Sequence, residues 1–303
     1  MGMGRSLCQV SPAARAVFDA ADEALGEPFS RLIFEGPAEQ LTYTANAQPA
    51  ILTASLAALA ALREAQPGLP TPQVAAGHSL GEYSALVAAG ALEFRRAVQL
   101  VRLRGEAMQR AVAPGEGAMA AVVGGDAAAV EQLCADVRAE SGGKRVVAPA
   151  NFNAPGQVVI AGHANAVERA SALAKDRKLK AIPLKVSAPF HCSLMAPAAL
   201  ALEAALRPIE LGALQFPVVS NVEAQPNSDV ARVRELLVRQ VAGAVRWQET
   251  LEWMVSHGVE TAWEIGPGQV LAGLAKRTVP GLVVRPAFEP DEVAGIATSS
   301  RSA

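Results

Sequence analysis

The sequence predicts an α/β protein in which a larger unit, built on a mostly parallel sheet with helices on both faces, carries a smaller βαββαβ unit inserted into it. Three observations lead there. Strand-length apolar runs alternate with longer runs at helical spacing along most of the 303 residues. From Gly117 to about Val186 that rhythm gives way to four extended segments interleaved with two helical ones. Apolar residues make up 51% of the chain against 18% charged, enough to bury a sizeable core and too apolar for a disordered chain.

Ser11-Pro12 opens the first clear helix with a hydroxyl cap and a proline at the first helical position. Its apolar pattern runs to Leu25 and stops at Gly26. The stretch around Gly36-Pro37 reads as turns, and Asn46 precedes a long alanine- and leucine-rich helix ending near Gly68. Gln73 to Ala76 is a short strand leading into Gly77-His78-Ser79-Leu80-Gly81, then a helix that stops at Gly90. Phe94 to about Val112 is helical again, closed by Pro114-Gly115.

In the inserted unit, strands are predicted at Ala118–Val123, Val146–Ala150, Gln157–Ala161 and Ala181–Val186, with helices at Asp126–Glu140 and Asn165–Asp176. The order is the ferredoxin-like pattern. The larger unit then resumes with helices at Ala196–Leu206, Val230–Val241, Trp247–His257 and Val270–Arg277, and strands at Pro217–Ser220, Thr261–Ile265 and Leu282–Pro286. Strands alternating with helices imply parallel pairing. The division expected is a core of residues 1–115 and 188–288, an insert of 116–187, and a loose tail of 289–303, where apolar content falls.

Several function classes are disfavoured. With 27 basic and 29 acidic side chains the net charge is −2, which offers no footprint for nucleic acid or an anionic membrane. The longest apolar stretch, Ile51 to Leu62, falls short of the roughly 20 residues a membrane span needs. The N-terminus lacks the apolar core of a secretory signal. Cys8, Cys134 and Cys192 are an odd set without metal-type spacing, pointing to a reducing, cytoplasmic setting. No H-E-x-x-H or paired C-x-x-C occurs, and Gly142-Gly143-Lys144 lacks the full phosphate-loop spacing, so neither a metal site nor a nucleotide site is expected. Nothing in the sequence demands more than a monomer.

The chemistry concentrates at Gly77-His78-Ser79-Leu80-Gly81. A G-x-S-x-G between strand and helix places the serine on a sharp turn, its hydroxyl exposed above the sheet. Ser79 is therefore the candidate nucleophile, with an ordinary turn serine as the alternative. The unpaired N–H at the start of the next helix, best placed at Leu80, is the candidate oxyanion donor. A serine needs a base, and there are only four histidines. His78 is adjacent in sequence and its side chain diverges from Ser79; His163 opens a helix in the insert; His257 precedes Gly258 at a helix end. His191 lies in the loop Ser187-Ala188-Pro189-Phe190-His191-Cys192 at the seam between units, where clefts form, and is preferred as base.

Arg104 stands out by periodicity. In the helix after Phe94, Arg95, Gln99, Arg102, Glu106 and Arg110 form one polar stripe. Arg104 falls about 200° from Arg102, on the apolar face. A guanidinium there must find an anion: either a local Asp or Glu, or the carboxylate of a substrate.

These motifs together resemble the malonyl-CoA:acyl carrier protein transacylases, the malonyltransferases of fatty acid synthesis. The likeness runs from Met3-Gly4 to Lys276-Arg277 through Asn46-Ala47-Gln48-Pro49-Ala50, Gly77-His78-Ser79-Leu80-Gly81-Glu82, Leu103-Arg104-Gly105, Asn153-Ala154-Pro155-Gly156-Gln157-Val158, Pro189-Phe190-His191-Cys192 and Glu264-Ile265-Gly266-Pro267-Gly268. It implies an α/β-hydrolase-like core with a ferredoxin-like insert. It also implies Ser79 as the acylated nucleophile, His191 as base, Arg104 on the malonyl carboxylate, and the backbone carbonyl of Gln240 orienting the histidine. Malonyl-CoA and an acyl carrier protein would be the partners, coenzyme A the product, and no cofactor would be tightly bound.

The family begins with an apolar strand ending in Gly-Gln-Gly-Ser-Gln, whose first glutamine gives a second oxyanion N–H. The chain as given starts after that motif, so the expectation is a true start upstream of Met1. Rival readings are a serine thioesterase or esterase, which would use the late His257, a discrete acyltransferase serving a polyketide synthase, and a non-catalytic carrier-binding subunit. Lys276 and Arg277 are candidates for contact with an acidic carrier helix or simply a solvated helix end.

Overall fold

A computed structural model of the chain describes residues 1–299. The N-terminal part is helical: α1 (Arg5–Val10), α2 (Pro12–Leu25), α3 (Phe29–Glu35), α4 (Ala38–Thr42) and α5 (Thr44–Ala65). α2 starts where the sequence places it, with Ser11 Oγ accepting the Ala14 N–H at 3.0 Å. α3 and α4 occupy the stretch that reads as turns, because seven and five residues are too few to display a helical period. α5 begins two residues before Asn46: the N–H groups of Asn46 and Ala47 both bond Tyr43 O at 2.8 Å, and the Asn46 side chain turns back to Gln40 O. Its 22 residues are long and apolar enough to cross a membrane, yet 67% of its most apolar window is buried inside the protein. α5 is the helix about which the core is built, packed against α2, α4 and α1.

The expected strand at 73–76 reduces to one parallel bridge, Ala75 with Val218. Two helices follow, α6 (Leu80–Ala88) and α7 (Phe94–Arg110). The segment expected as an insert comprises β1 (Gly117–Val123), α8 (Ala127–Glu140), β2 (Val147–Ala154), β3 (Gln157–His163), α9 (Ala164–Asp176) and β4 (Lys180–Pro183), forming a sheet of order β2-β3-β1-β4. Every pairing in it is antiparallel. Side-chain alternation gives the sheet two apolar faces. Ala120, Val122, Val158 and Ile160 pack with Val130, Leu133 and Ala170 of the helices. Met119, Ala121, Val159 and Ala161 face the other way and cluster with Cys192, beside Phe190 and Leu194. The loop that carries His191 is thus seated on the insert's second face.

The chain continues through α10 (Ala196–Leu206), β5 (Val218–Val219), β6 (Pro226–Asn227), α11 (Val230–Ala242), α12 (Trp247–Ser256), β7 (Thr261–Glu264), α13 (Val270–Thr278), β8 (Val283–Pro286) and α14 (Pro290–Ser299). Parallel pairing is sparser than the sequence predicts. Among the described residues it is confined to β7–β8 and to the bridges Ala75–Val218 and Asn151–Val245, while β5–β6 is an antiparallel hairpin. Alternating patterns identify extended segments, but they carry no information about which edge each segment finds. The Asn151–Val245 bridge joins β2 to the segment between α11 and α12, with Phe152 N–H donating to Val245 O at 2.8 Å.

The loose tail expected at 289–303 is also corrected. Residues 290–299 form α14, whose Val293 and Ile296 are buried against the α1, α2 and α5 side chains. Two apolar positions one helical turn apart were enough to dock it, a signal that low overall apolar content concealed. Residues 300–303 lie outside the described part.

Candidate active site

Ser79 sits at the end of the segment pinned by the Ala75–Val218 bridge and immediately before α6. Its backbone has φ 50° and ψ −103°, a conformation that costs an L-residue on the order of 1–3 kcal/mol and persists only when its surroundings impose it. Gly77 permits the turn: a Cβ there would lie 2.0 Å from the Gly81 carbonyl. Gly81 itself has open space at its Cβ position, so of the two flanking glycines only the first is sterically required. Asn221, fully buried, clamps both sides of the serine. Its Oδ1 accepts the Ser79 N–H at 2.6 Å and its Nδ2 donates to Gly77 O at 2.8 Å. The Ser79 N–H is therefore occupied, while the Leu80 N–H has no acceptor among the described residues.

His191 also has positive φ, 60°, and is 4% exposed. Its Nε2 faces Ser79 Oγ at 2.7 Å. Its Nδ1 lies 2.9 Å from Gln240 O and 3.2 Å from Gly243 O. Carbonyls only accept, so Nδ1 carries the proton and Nε2 presents a lone pair to the serine hydroxyl. Burial, and then the Arg104 cation, push the imidazole down to about 3, only partly offset by donation to Gln240 O. The ring is neutral throughout the physiological range.

Arg104 lies on the buried face of α7, as the stripe of exposed residues Arg95, Gln99 and Arg110 requires. It is 2% exposed and forms no ion pair among the described residues. Its Nη1 donates to Gln48 Oε1 at 2.6 Å, and its Nη2 to Gln240 Oε1 at 2.9 Å and to Ser79 Oγ at 3.1 Å. The guanidinium lies 5.3 Å from the Tyr83 ring centroid, and its Nε has no hydrogen-bond partner. Gly105 brings Gln48 within reach, since a Cβ there would strike the backbone of α5 at Thr44 and Ala45 at 2.6–2.7 Å. Of the two options the sequence left open, the local Asp or Glu is absent: the nearest acid is reached only through an amide. Gln240 Nε2 donates to Glu82 Oε2 at 2.9 Å and to Ser79 O at 2.8 Å.

Gln240 thus touches the base, the cation, the elbow and the buried acid at once. Glu82 Oε2 also accepts the Asn221 N–H at 3.1 Å. Burial pushes the Glu82 carboxyl up to about 7, against the lowering effect of Gln240, Asn221 and Arg104. A raised carboxyl binds its proton more tightly folded than unfolded. Its contribution to stability is complete below the ordinary value of 4.5 and is lost as pH rises through about 7. Glu82→Gln, which mimics the protonated form, should therefore melt at a higher temperature relative to wild type as pH goes from 4.5 to 8. A melting-temperature difference independent of pH would contradict this.

The side chains of the other histidines make no hydrogen bond with this cluster among the described residues. His78 Nε2 is 2.8 Å from Asn153 Oδ1, its ring against Trp247, which ties the elbow to the insert. His163, at the start of α9, accepts the Val146 N–H on its Nδ1 at 2.9 Å and is a half-buried link between the two segments. His257 is exposed, stacked on Trp253 with ring centroids 4.1 Å apart. Lys276 and Arg277 are exposed at the end of α13. Sequence reasoning found Ser79, His191, Arg104 and Gln240, which converge, but assigned no role to Gln48, Glu82 or Asn221. The available signal for Gln48 and Glu82 was a polar side chain on the apolar face of a helix; Asn221 follows a two-residue strand and carried none.

The chain matches the family described as "Acyl transferase domain" over residues 1–295. It is 51% identical over 278 residues to the malonyl CoA-acyl carrier protein transacylase of Bacillus subtilis, covering 91% of this chain and 86% of that one. Among solved structures it is similar to an acyl carrier protein S-malonyltransferase from Vibrio cholerae (TM-score 0.93, 43% identity, 98% of this chain and 95% of that chain). It is equally similar to a malonyl-transacylase solved in complex with its type II PKS acyl-carrier protein (TM-score 0.94, 42% identity, 99% and 95%).

Proposed function

The chain belongs to the acyl transferase domain family, and from that premise we propose that it transfers a malonyl group from malonyl-CoA to the phosphopantetheine thiol of an acyl carrier protein, as a step of fatty acid synthesis. The observation that carries the reading is the convergence on one hydroxyl: Ser79 Oγ meets His191 Nε2 at 2.7 Å and the buried, acid-free Arg104 guanidinium at 3.1 Å.

Ser79 Oγ attacks the thioester carbonyl as His191 Nε2 takes its proton, the Leu80 N–H stabilises the oxyanion, and the proton passes to the departing thiolate of coenzyme A. The carrier's thiol then attacks the Ser79 ester by the same steps in reverse. Gln240 O fixes the imidazole tautomer without adding negative charge, and Arg104 holds the free malonyl carboxylate. Each step named here is performed by a side chain or backbone atom of the protein, so none calls on a tightly bound cofactor. The acceptor is supported by the relative captured with its acyl-carrier protein.

The architecture belongs to the same proposal: an α/β-hydrolase-like core of residues 1–115 and 188–288 with a ferredoxin-like insert of 116–187. The βαββαβ order and the insert's separate apolar cluster support that division. The free, buried thiols of Cys8, Cys134 and Cys192 favour a reducing compartment, and the cytoplasm is the location proposed.

Incubation with malonyl-CoA followed by intact-mass measurement and peptide mapping tests the function. A malonyl ester on the peptide carrying Ser79, removed by a phosphopantetheinylated carrier protein, is the expected result. No adduct, or an adduct on another peptide, would refute the reading.

A further inference from the structure

Ser79 Oγ has one proton and two lone pairs. With the proton directed at His191 Nε2, 2.7 Å away, one lone pair accepts from Arg104 Nη2 at 3.1 Å. As the Ser79 proton passes to His191, the neighbouring imidazole becomes a cation repelled by the guanidinium, and the ester oxygen finally formed is a poorer acceptor than the hydroxyl. An interaction that favours the ground state over the transition state slows the step. Among the described residues no carboxylate lies within hydrogen-bond reach of Arg104 in the resting site: Gln48, Gln240 and the Tyr83 ring around it are neutral, and Glu82, which offsets the charge only from a distance, lies beyond the Gln240 amide. The titratable and charged groups facing His191 are Arg104 and His78, with Glu82 behind Gln240, so Arg104 is the close permanent charge that opposes protonation of the base.

We infer that Arg104 is a lock on the nucleophile as well as a clamp on the substrate: the free carboxylate of an incoming dicarboxylic half-thioester draws Nη2 off Ser79 Oγ and cancels the charge that opposes His191. A thioester without a carboxylate meets a serine that is still held. Selectivity then lies in the rate of acylation and not only in binding. In the step itself the Ser79 O–H bond breaks and its proton goes to His191 Nε2. The Oγ–carbonyl bond forms, the carbon–sulfur bond breaks, and the thiolate takes the proton from His191; Arg104 only exchanges hydrogen-bond partners. The inference rests on the transacylase reading above.

A small carboxylate supplied separately tests it on the wild-type protein. Acylation of Ser79 by acetyl-CoA is followed in a single turnover with sodium formate or with sodium chloride at equal ionic strength. Formate filling the Arg104 site should accelerate acetylation by about tenfold, the scale of a modest improvement in general-base catalysis. The same formate should slow acylation by malonyl-CoA, which competes for that site. In Arg104→Ala the acceleration should vanish. Acetylation that formate leaves unchanged or slows would overturn the lock. In that event, Ser79 acylation by malonyl-CoA without formate would leave the transacylase reading standing, whereas no acylation of Ser79 by either thioester would remove both.

Discussion

Replacing His191 with alanine should lower the rate of Ser79 acylation by malonyl-CoA at least about 10³-fold, while His257→Ala should leave it within about twofold. The difference follows from geometry. Nδ1–H of His191 is committed to Gln240 O and Gly243 O, which leaves Nε2 bare at 2.7 Å from the hydroxyl it must deprotonate. His257 is exposed at the end of α12, its Nδ1 2.8 Å from Trp253 O. A serine hydroxyl without a base is a weak nucleophile near neutral pH. His191 is fully seated, but alanine leaves the Gln240 and Gly243 carbonyls without a donor, so the variant's melting curve should be recorded with the kinetics. Quenched-flow intact-mass measurement reads acylation directly. Near-wild-type acylation of a folded His191→Ala protein, or its loss in His257→Ala, would exchange the roles and favour a hydrolase-like arrangement.

The sequence disclosed this centre unevenly, for physical reasons. Ser79 was legible because a strand-to-helix turn with a positive-φ serine needs a residue without Cβ close by, and Gly77 supplies it. Arg104 was legible because the 17-residue helix α7 carries a polar stripe, and a cation off that stripe is a local contradiction. The tautomer-setting carbonyl of Gln240 was available only through family resemblance, since a backbone acceptor leaves no mark on residue type. Asn221 was invisible: its function is to hold Gly77 and Ser79 from a loop 142 residues away from the serine, a contact no local pattern encodes. The same limit applies to the sheet, where extended segments were found but their partners were not, and to α14, which docks through only Val293 and Ile296.

Arg104→Ala should separate the two thioesters. Acylation by malonyl-CoA should fall about 10²–10³-fold, the effect of losing a charge-assisted bidentate pair and leaving a carboxylate without a partner in a buried site. Acylation by acetyl-CoA should not fall, because the acetyl group makes no use of the guanidinium and the variant frees the Ser79 lone pair now engaged at 3.1 Å. The fold can tolerate the change better than its depth suggests. The guanidinium is desolvated without an ion pair, so removing it relieves a charge that Glu82 offsets only from beyond the Gln240 amide, even as Gln48 Oε1 and Gln240 Oε1 lose a donor. Arg104→Met, which keeps most of the volume, distinguishes lost charge from a cavity and should show the same preference. Rates for both thioesters with each variant decide the matter: equal losses for malonyl and acetyl would mean that Arg104 shapes the site as a whole and does not recognise the carboxylate.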